Sequence, residues 1–486
     1  MLARTHRIPA AMAAMAAPAA LALLAGSAMG QVSKTLPRVE VSDDGQTTAI
    51  VMPSSTDNTG WTSRADGVLY PTTPDYELNL RRQVGGMKIA DMNGDGRNDL
   101  VVGVYHSNSF PEYLDWHDFI LYNTGSELEA APSWISADQT HCGDVQIGDI
   151  NLDTYPDFFS VTGNFNNIRV YFGSATGPST TAGWFGTPPR SGWATSGLLV
   201  DIDKDGDLDI VTTNQGVTPD PYRPMYMWKN QGGTLDNTVS WQSAEQSIQN
   251  GLDSADVNGD GWPDVGVAKW VNFESGIYLN TGTGTLESTP YWTTGDDGTD
   301  KGVAFADIDG NGWPDYGLGH DEPGRVYAND AGTFSLVYES DAPFYGQQEV
   351  AFHDIDRDGD DDFCEVNFSD GRTHLYLNRG GTLDSPPSWT YDAREVANCV
   401  AFGDINGDGW DDLAIGYSGD ISVRVFYAVP PVCVADFNGD GDVNTLDVLS
   451  FLNAWNAGDG SADINGDGSV NTLDVLEFLN LWNAGC

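Results

Sequence analysis

The nonapeptide DMNGDGRND, residues 91–99, recurs with small changes seven times in this chain. The copies start at Asp91, Asp149, Asp201, Asp256, Asp307, Asp354 and Asp404, at intervals of 47 to 58 residues. A fixed motif at a near-constant interval indicates that one supersecondary unit is repeated along the chain. The motif therefore predicts a repeat architecture for most of the sequence.

The polar side chains of the motif are spaced as metal ligands. Positions 1, 3, 5 and 9 offer side-chain oxygens, position 7 adds a backbone carbonyl, and the glycine at position 6 permits a sharp turn. Ligation by oxygen alone, rich in carboxylate, selects a hard cation, which outside the cell is Ca²⁺. A single copy would be explained equally well as a polar surface turn, but seven copies in register favour calcium loops.

The predicted ligands occupy the same five positions in every loop, and position 1 is the aspartate that starts each copy. Position 3 is Asn93, Asn151, Asp203, Asn258, Asp309, Asp356 and Asn406. Position 5 is Asp95, Asp153, Asp205, Asp260, Asn311, Asp358 and Asp408. Position 7 is Arg97, Tyr155, Asp207, Trp262, Trp313, Asp360 and Trp410. Position 9 is Asp99, Asp157, Asp209, Asp264, Asp315, Asp362 and Asp412. The loop at Asp149 has Thr154 instead of glycine at position 6, so we expect it to bind calcium most weakly.

The segments around each loop predict β-strands. Apolar runs such as MKIAD and DLVVGV flank the first loop, and two β-rich runs joined by a tight polar loop predict a hairpin. A third run follows in every repeat, for example FILYN at 119–123. A fourth element with an aromatic residue follows in all but the last repeat: Trp134, Trp184, Trp241, Trp292, Tyr338 and Trp389. Four strands per repeat are typical of a β-propeller blade.

The missing fourth strand of the last repeat has a substitute at the other end of the repeat region. Tyr76 lies 15 residues before Asp91, and Trp134 lies 15 residues before Asp149. No third strand precedes Tyr76, so its strand is free to join the last repeat and leave the ring without an open edge. We therefore predict an all-β fold, a seven-bladed calcium-binding β-propeller over residues 70–429, whose seventh blade is closed by the strand near Tyr76.

The repeats resemble FG-GAP (VCBS-type) repeats, the calcium-bearing blades of the integrin α-subunit propeller and of many exported bacterial proteins. The resemblance covers roughly residues 70–430 and implies a propeller with bound calcium. It does not imply a particular activity, because one fold hosts many functions.

A small second domain is predicted for residues 430–486, after Pro430-Pro431. Two near-copies, DFNGDGDVNTLDVLSFLNAWNAG and DINGDGSVNTLDVLEFLNLWNAG, extend the loop to twelve positions. The first ligand set is Asp436, Asn438, Asp440, the Asp442 carbonyl, Asn444 and Asp447, and the second is Asp463, Asn465, Asp467, the Ser469 carbonyl, Asn471 and Asp474. Each loop leads into a predicted helix with an apolar face of leucines, a valine and a tryptophan, which gives an all-α domain with two EF-hand-type loops. So small a domain is expected to depend on its metals for structure.

This tail resembles a type I dockerin, a module that binds a cohesin on a partner protein. The resemblance implies that Thr445, Leu446, Thr472 and Leu473 determine partner choice, and the near-identity of the two halves implies that either face can dock. With nine loops in total, the chain would hold up to nine Ca²⁺ ions.

The end of the tail departs from the dockerin pattern, because the chain finishes in Gly485-Cys486 and Cys433 stands just before the first loop. One interpretation is a Cys433–Cys486 disulfide that joins the two ends of the domain. The other is that the terminal Gly-Cys serves in processing or covalent surface attachment. For this reason the predicted partner of the tail is either a cohesin-like protein or another envelope protein.

The start of the chain and its composition predict export. Residues 1–30 combine Arg4 and Arg7, an Ala/Leu-rich stretch and the cleavage site Ala28-Met29-Gly30, as in a signal peptide, and residues 31–69 form an N-terminal segment. The full chain has a net charge of −49, and residues 1–30 hold two arginines and no acid, so the mature chain carries −51. This charge argues against nucleic acid or anionic lipid as a partner.

The sequence favours binding over catalysis. No two of the seven histidines have a short metal-ligand spacing, and no G-x-S-x-G is present. Two long loops on the face opposite the calcium turns are candidate ligand loops, with Tyr105, His106, Tyr113, Trp116, His117, Tyr222 and Arg223. These residues either bind a protein or glycan or simply pack the loops. We predict a non-enzymatic binding or scaffold protein; the alternatives are a polysaccharide lyase that uses His117 and Arg223, and a structural spacer in a surface layer.

Overall fold

The computed structural model describes residues 38–41, 47–51 and 69–484, except for 106–115, 126, 140, 163–167, 191, 218–219, 321–322, 342–347, 369–370, 394, 431–432, 440–442 and 467. The predicted signal peptide lies outside the described residues. The chain divides into two compact units, Arg64–Val432 and Met1–Ser63 with Cys433–Cys486. The second unit includes an antiparallel hairpin of β1 (Arg38–Val41) and β2 (Thr47–Val51).

The larger unit consists of antiparallel strands in successive groups, which we call blades. A short strand, β3 (Tyr76–Leu78), precedes them. Blade 1 contains β4 (Gln83–Ala90), β5 (Asp99–Tyr105), β6 (Phe119–Leu121) and β7 (Trp134–Ile135). Blade 2 contains β8 (Cys142–Gly148), β9 (Asp157–Thr162), β10 (Ile168–Tyr171) and β11 (Trp184–Gly186). Blade 3 contains β12 (Trp193–Val200), β13 (Asp209–Val217), β14 (Asp220–Tyr222), β15 (Tyr226–Trp228) and β16 (Trp241–Gln242).

The remaining groups follow the same order. Blade 4 contains β17 (Ile248–Ala255), β18 (Asp264–Phe273), β19 (Gly276–Tyr278), β20 (Trp292–Thr293) and β21 (Gly298–Thr299). Blade 5 contains β22 (Val303–Ala306), β23 (Asp315–Leu318), β24 (Arg325–Asp330) and β25 (Thr333–Glu339). Blade 6 contains β26 (Gln348–His353), β27 (Asp362–Asn367), β28 (Arg372–Tyr376) and β29 (Trp389–Asp392). Blade 7 contains β30 (Val396–Gly403), β31 (Asp412–Ser418) and β32 (Val423–Phe426).

The blades are arranged as a closed ring, as in a β-propeller. The first strands of successive blades contact one another, and β30 of blade 7 contacts β4 of blade 1. Strand β3 pairs antiparallel with β32, with Tyr76 opposite Val425 and Leu78 opposite Val423. The strand around Tyr76 is therefore the outer strand of blade 7.

The hydrophobic core lies between blades because the second strands are buried on both faces. Every residue of β9 and of β27 is buried, in keeping with their continuous apolar runs. The cluster between blades 2 and 3 joins Phe159 and Val161 to Ile210, Tyr226 and Trp228. Each blade is thus held by the side chains that it shares with its neighbours.

A short segment before β3 packs between blades 6 and 7. Tyr70 is fully buried, its carbonyl accepts the Trp389 indole N–H at 2.9 Å, and its hydroxyl donates to the Asp411 carbonyl at 2.9 Å. The Val429 N–H donates to the Leu69 carbonyl at 3.0 Å. Leu69 and Tyr70 therefore belong structurally to the propeller.

Glu365 is one of the buried acids of this ring that lie outside the Asp-rich loops. Glu365 on β27 is 1% exposed, and the Tyr376 hydroxyl donates to it at 2.7 Å. Burial raises the pKa of Glu365 to about 7, more than the hydrogen bond from Tyr376 lowers it. The folded protein therefore holds a proton on Glu365 at pH values where the unfolded chain has released it.

The tail consists of two repeats of loop and helix. Its helices are α1 (Thr445–Ala457) and α2 (Thr472–Ala484), with a single 3₁₀ turn at Gly460–Ala462 between them. Phe451 and Phe478 are fully buried and stack with ring centroids 4.1 Å apart. The Trp455 indole donates to the Asn471 carbonyl at 2.7 Å, and the equivalent Trp482 indole donates to the Asn444 carbonyl at 2.9 Å. Each helix is thus tied to the loop of the other repeat.

We expect that a mature chain starting at Gln83 unfolds at a lower temperature than one starting at Leu69. The shorter chain loses the buried Tyr70 and Leu78 and leaves β32 as an open edge, a loss on the order of 5 kcal/mol. Differential scanning fluorimetry of both chains beside the 31–486 chain checks this, and equal melting temperatures for all three would refute it.

We also expect Glu365→Gln to flatten the pH dependence of stability between pH 5 and 8. The folded-state pKa of Glu365 is raised to about 7 from 4.5, so stability is fully present below about 4.5 and is lost as pH rises through 7. The loss is about 3 kcal/mol at pH 8. Chemical denaturation at several pH values measures it, and parallel pH profiles for the variant and the parent protein would contradict the prediction.

Candidate calcium loops and partner surface

Each propeller loop, numbered by its blade, folds around the aspartate at position 1. In loop 4 one oxygen of Asp256 accepts the N–H of Asp260 at 3.1 Å, and the other accepts the N–H of Gly261 at 2.7 Å. The position 3 side chain, Asn258, accepts the same Asp260 N–H at 2.8 Å. Gly261 has a φ of +85°, a left-handed conformation that glycine adopts without strain. The backbone amides thereby hold the polar side chains around one point.

The carboxylate oxygens converge in three of the loops. In loops 3, 5 and 6, one oxygen from each of positions 1, 3 and 9 lies within 4.8 Å of the others. The three sets are Asp201, Asp203 and Asp209; Asp307, Asp309 and Asp315; and Asp354, Asp356 and Asp362. These loops have aspartate at position 3, where the other four have asparagine. Three carboxylates at this separation repel one another unless a cation lies between them.

Several carboxylate oxygens in these loops are buried and accept no hydrogen bond from the described part of the chain. They are Asp203 Oδ1 in loop 3 and Asp354 Oδ1 and Asp356 Oδ1 in loop 6. Burial, with Asp358 and Asp354 nearby, raises the pKa of Asp356 to about 6. A buried carboxylate oxygen without a donor is costly, and a bound cation would satisfy it. The donor set therefore fits Ca²⁺, as its oxygen chemistry requires.

Loop 2 has an unfavourable backbone conformation. Thr154 at position 6 has a φ of +75°, and Leu152 at position 4 has a φ of +62°. Loops 1, 4, 5 and 7 have glycine at both positions. A non-glycine residue in this region costs of order 1–3 kcal/mol. Weakest calcium binding by the loop at Asp149 stays a prediction.

The aspartate at position 9 has a second role, which sequence reasoning missed. In loop 4 Asp264 is fully buried; one oxygen accepts the N–H of Val257 at 3.1 Å, and the other accepts the N–H of Asn280 at 2.7 Å. Val257 is position 2 of the loop, and Asn280 follows the third strand. The same pair of hydrogen bonds forms in all seven loops. Position 9 therefore ties the loop to the third strand, besides being a predicted metal ligand.

An asparagine at or just after the end of the third strand was also missed. It is buried in five blades, as Asn123, Asn230, Asn280, Asn329 and Asn378. The signal is visible in the sequence, since the third runs FILYN, YMWKN, GIYLN, RVYAN and HLYLN all end in asparagine.

The two loops of the tail use aspartate in a related way. Asp447, at position 12 of its loop, accepts the N–H of Asn444 at 2.7 Å and of Asn438 at 3.1 Å. Asp474 makes the equivalent pair with Asn471 and Asn465 in the second loop. Asp463 Oδ1 is buried and accepts no hydrogen bond from the described residues, which again fits a cation. The predicted ligands Asp440, Asp442 and Asp467 lie outside the described residues.

The cysteines fall into two groups. Cys433 is disulfide-bonded, whereas Cys142, Cys364 and Cys399 are buried free thiols. The bonded state of Cys433 agrees with the disulfide interpretation of the tail. Its predicted partner, Cys486, lies outside the described residues.

The helices of the tail expose two equivalent apolar faces. The first consists of Leu446 (54% exposed), Leu449 (56%) and Leu452 (40%), and the second of Leu473 (56%), Leu476 (60%) and Leu479 (41%). Thr445 and Thr472, which are also exposed, begin the two helices beside these faces. The leucines of the predicted apolar face therefore lie on the surface, whereas Phe451 and Phe478 form the core.

The candidate ligand loop of blade 1 is packed where it is described. The His141 ring contacts Tyr105 and Trp116 edge-on, with centroids 5.0 and 5.6 Å apart. His117 Nδ1 lies 2.6 Å from the Ser136 carbonyl oxygen. His106 and Tyr113 lie outside the described residues. These contacts support the packing interpretation for the aromatic residues of this loop.

The candidate ligand loop of blade 3 is divided between a packed and an exposed residue. Arg223 is only 5% exposed, and its Nη1 donates to the Asp220 carbonyl at 2.9 Å and the Tyr222 carbonyl at 2.7 Å. Tyr222 is 39% exposed and contacts Phe273 edge-on at 5.3 Å. Arg223 therefore supports its own loop, and Tyr222 is the residue of this pair that solvent reaches.

Comparison with known proteins agrees with this geometry. Residues 149–212 and 354–415 match the FG-GAP-like repeat, and residues 434–481 match the dockerin type I domain. The chain therefore carries FG-GAP-like repeats in a β-propeller, followed by a type I dockerin domain. No curated protein matches the sequence.

Among solved structures, the chain is similar in fold to BBS1N, crystallised in complex with ARL6DN and soaked with lead. The TM-score is 0.52 at 12% sequence identity, over 75% of this chain and 98% of that one. The mercury-soaked crystal of the same complex gives a TM-score of 0.48 at 12% identity, over 73% and 96%. At this identity the first likeness shows the fold alone. Separately, none of the helices in the described residues is long and apolar enough to cross a membrane.

The two roles of the loop aspartates predict different effects of substitution. Asp264→Asn should lower the free energy of unfolding by about 2 kcal/mol, in calcium and in chelator alike, because the side-chain NH2 cannot accept one of the two buried backbone N–H groups. Asp256→Asn, at the half-buried position 1, should act mainly by reducing the stabilisation that calcium confers. Melting curves with calcium and with EGTA separate the two effects. If Asp264→Asn melts at the same temperature as the parent protein in EGTA, Asp264 does not stabilise the fold by tying the loop to the third strand.

Proposed function

We propose that this is an exported, calcium-stabilised attachment protein without catalytic activity. Its dockerin domain binds a cohesin-type module on the cell surface or in a protein assembly, and its propeller presents a surface for a protein or glycan. The observation that carries the proposal is the pair of exposed leucine faces on the dockerin helices.

Three exposed leucines on each face form an apolar patch of a kind that marks an interaction site on a soluble domain. The patch is repeated by the internal symmetry of the tail, since Leu446, Leu449 and Leu452 correspond to Leu473, Leu476 and Leu479. A partner that covers one face therefore fits the other after a half-turn. Apolar side chains that become fully covered are the usual energetic centre of an interface.

Calcium is proposed to fill up to nine loops. The mature chain has a net charge of −51, and 34 of its 71 acidic residues lie in these loops. Divalent ions would neutralise the repulsion within each loop and stabilise the folded state by mass action. The buried carboxylate oxygens without donors in loops 3 and 6 and at Asp463 support this role.

The absence of catalysis is part of the proposal. A polysaccharide lyase would use His117 as a base and Arg223 as a charge neutraliser. Nδ1 of His117 lies at a backbone carbonyl, and the Arg223 guanidinium is buried against two others. These contacts favour a binding surface over a lyase site.

The attachment proposal predicts calcium-dependent binding to an immobilised type I cohesin module, measured by surface plasmon resonance. Leu446→Asp and Leu473→Asp should each leave binding through the other face, whereas the double variant should lose at least thirtyfold in affinity. Leu336→Asp on exposed strand β25 of the propeller is the matched control and should change nothing. Retained binding by the double variant would refute the leucine faces as the contact, and no binding by the parent protein would refute a cohesin partner.

A further inference from the structure

The five buried asparagines at or just after the ends of the third strands, which we call the clamp asparagines, each join two neighbouring loops. In blade 4, Asn280 Nδ2 donates to the Pro263 carbonyl of its own loop at 3.2 Å. It also donates to the Ile202 carbonyl of loop 3 at 2.9 Å. Asn280 Oδ1 accepts the N–H of Gly282 at 3.0 Å, which orients the amide. A single side chain thus spans the junction between blades 3 and 4.

The same contact recurs around the ring. The residue reached in the preceding loop is always position 2: Asn230 donates to Ile150 at 2.7 Å, Asn329 to Val257 at 2.9 Å, Asn378 to Ile308 at 2.8 Å and Asn123 to Ile405 at 2.5 Å. The contact from Asn123 crosses from blade 1 to blade 7, where the ring closes. The clamp is therefore a property of the architecture and not of one blade.

The clamp links the position 9 aspartates of adjacent loops through hydrogen bonds. Asp209 of loop 3 accepts the N–H of Ile202 at 3.1 Å, and the carbonyl of Ile202 accepts from Asn280. The backbone N–H of Asn280 in turn donates to Asp264 of loop 4 at 2.7 Å. In this series of hydrogen bonds, only Ile202 and Asn280 lie between the two carboxylates. A cation that fixes the position of one carboxylate therefore also fixes the residues that hold the next.

Two blades lack the asparagine, and they differ in what replaces it. Blade 7 has Ala428 instead. Here the Tyr70 hydroxyl donates to the carbonyl of Asp411, which is position 8 of loop 7. In the five blades that have a clamp asparagine, its side chain donates to the carbonyl at position 8 of its own loop. At the same junction His353 pairs with Asp411 at 2.8 Å, and the Arg357 guanidinium lies 4.8 Å from the Trp410 ring centroid. Loops 6 and 7 are therefore joined by other side chains.

Blade 2 has Gly173, which offers its backbone N–H to Asp157 at 2.7 Å but has no side chain to reach loop 1. A Cβ added there would lie 2.4 Å from the Pro156 carbonyl oxygen, so the backbone occupies the space that an asparagine would need. Loop 2 is also the loop with Thr154 and Leu152 at positive φ. The junction between loops 1 and 2 is thus built without a clamp.

We propose that the clamp asparagines couple neighbouring calcium loops, and that the junction between blades 1 and 2, which lacks a clamp, is where the ring opens first when calcium is withdrawn. This inference rests on the proposed calcium binding of the propeller loops. Loops joined by a clamp fill over the same range of calcium concentration, because calcium in one pre-forms the next. Loops 1 and 2 bind calcium over different ranges of calcium concentration.

The test is hydrogen–deuterium exchange measured by mass spectrometry on the full mature chain, across a series of buffered free calcium concentrations. In the parent protein, peptides of loops 7 and 1 should gain protection with one shared midpoint, because Asn123 joins them. Peptides of loops 1 and 2 should have different midpoints. As calcium falls, loops 2 and 3, which Asn230 joins, should lose protection together and before loop 1. This comparison needs no variant.

A pair of substitutions at one junction isolates the clamp. Asn123→Ala removes it, and the midpoints of loops 7 and 1 should then separate by roughly tenfold in calcium concentration. Asn398→Ala is the matched control, because Asn398 is also a buried asparagine that donates from blade 7 to blade 1, to the Val84 carbonyl at 2.8 Å, but lies away from the loops. In the Asn398→Ala variant, the calcium midpoints of loops 7 and 1 should stay equal.

Two results would overturn the inference in different ways. If calcium protects every loop independently, or if Asn398→Ala separates the midpoints as Asn123→Ala does, the coupling by clamps is wrong while calcium binding stands. If calcium protects none of the propeller loops, the coupling and the proposed calcium binding both fail.

Discussion

The fold depends on a buried carboxylate whose two oxygens both need a hydrogen-bond donor. The aspartate at position 9 is buried in every blade, where an unpaired charge would be costly. It accepts one N–H from its own loop and one from the end of the third strand, so it fixes the hairpin and the strand beside it together. The repeat of this arrangement makes seven similar blades from seven differing sequences.

The same Asp-rich loop is used differently in the two domains. In the propeller it is a hairpin turn whose ninth residue latches a third strand. In the tail the loop runs to twelve residues, and Asp447 accepts the Asn444 N–H while Asn444 caps α1, which makes the loop a helix start. In both uses the last aspartate of the loop accepts two backbone N–H groups, and the element that follows the loop decides whether a strand or a helix is stabilised.

Local features were predictable from the sequence, because spacing within a loop determines its geometry. The glycine at position 6, the flanking apolar runs and the position of Tyr76 indicated the blades and the strand that completes the last one. The clamp was not predictable, since Asn280 and the Ile202 carbonyl that it reaches are 78 residues apart and in different blades. Periodicity marked the leucines of the tail as apolar but did not show that Phe451 and Phe478 fill the core instead. Nor did it show that Arg223 is buried against its own loop.

Calorimetry of the mature chain in calcium and in EGTA tests the central claim, that bound cations hold the carboxylate-rich loops and thereby the ring. The account predicts that the propeller transition moves to a markedly lower temperature in EGTA, and that it recovers when calcium is restored. A propeller transition at the same temperature in both conditions would show that the loops are self-sufficient turns, and it would contradict the account.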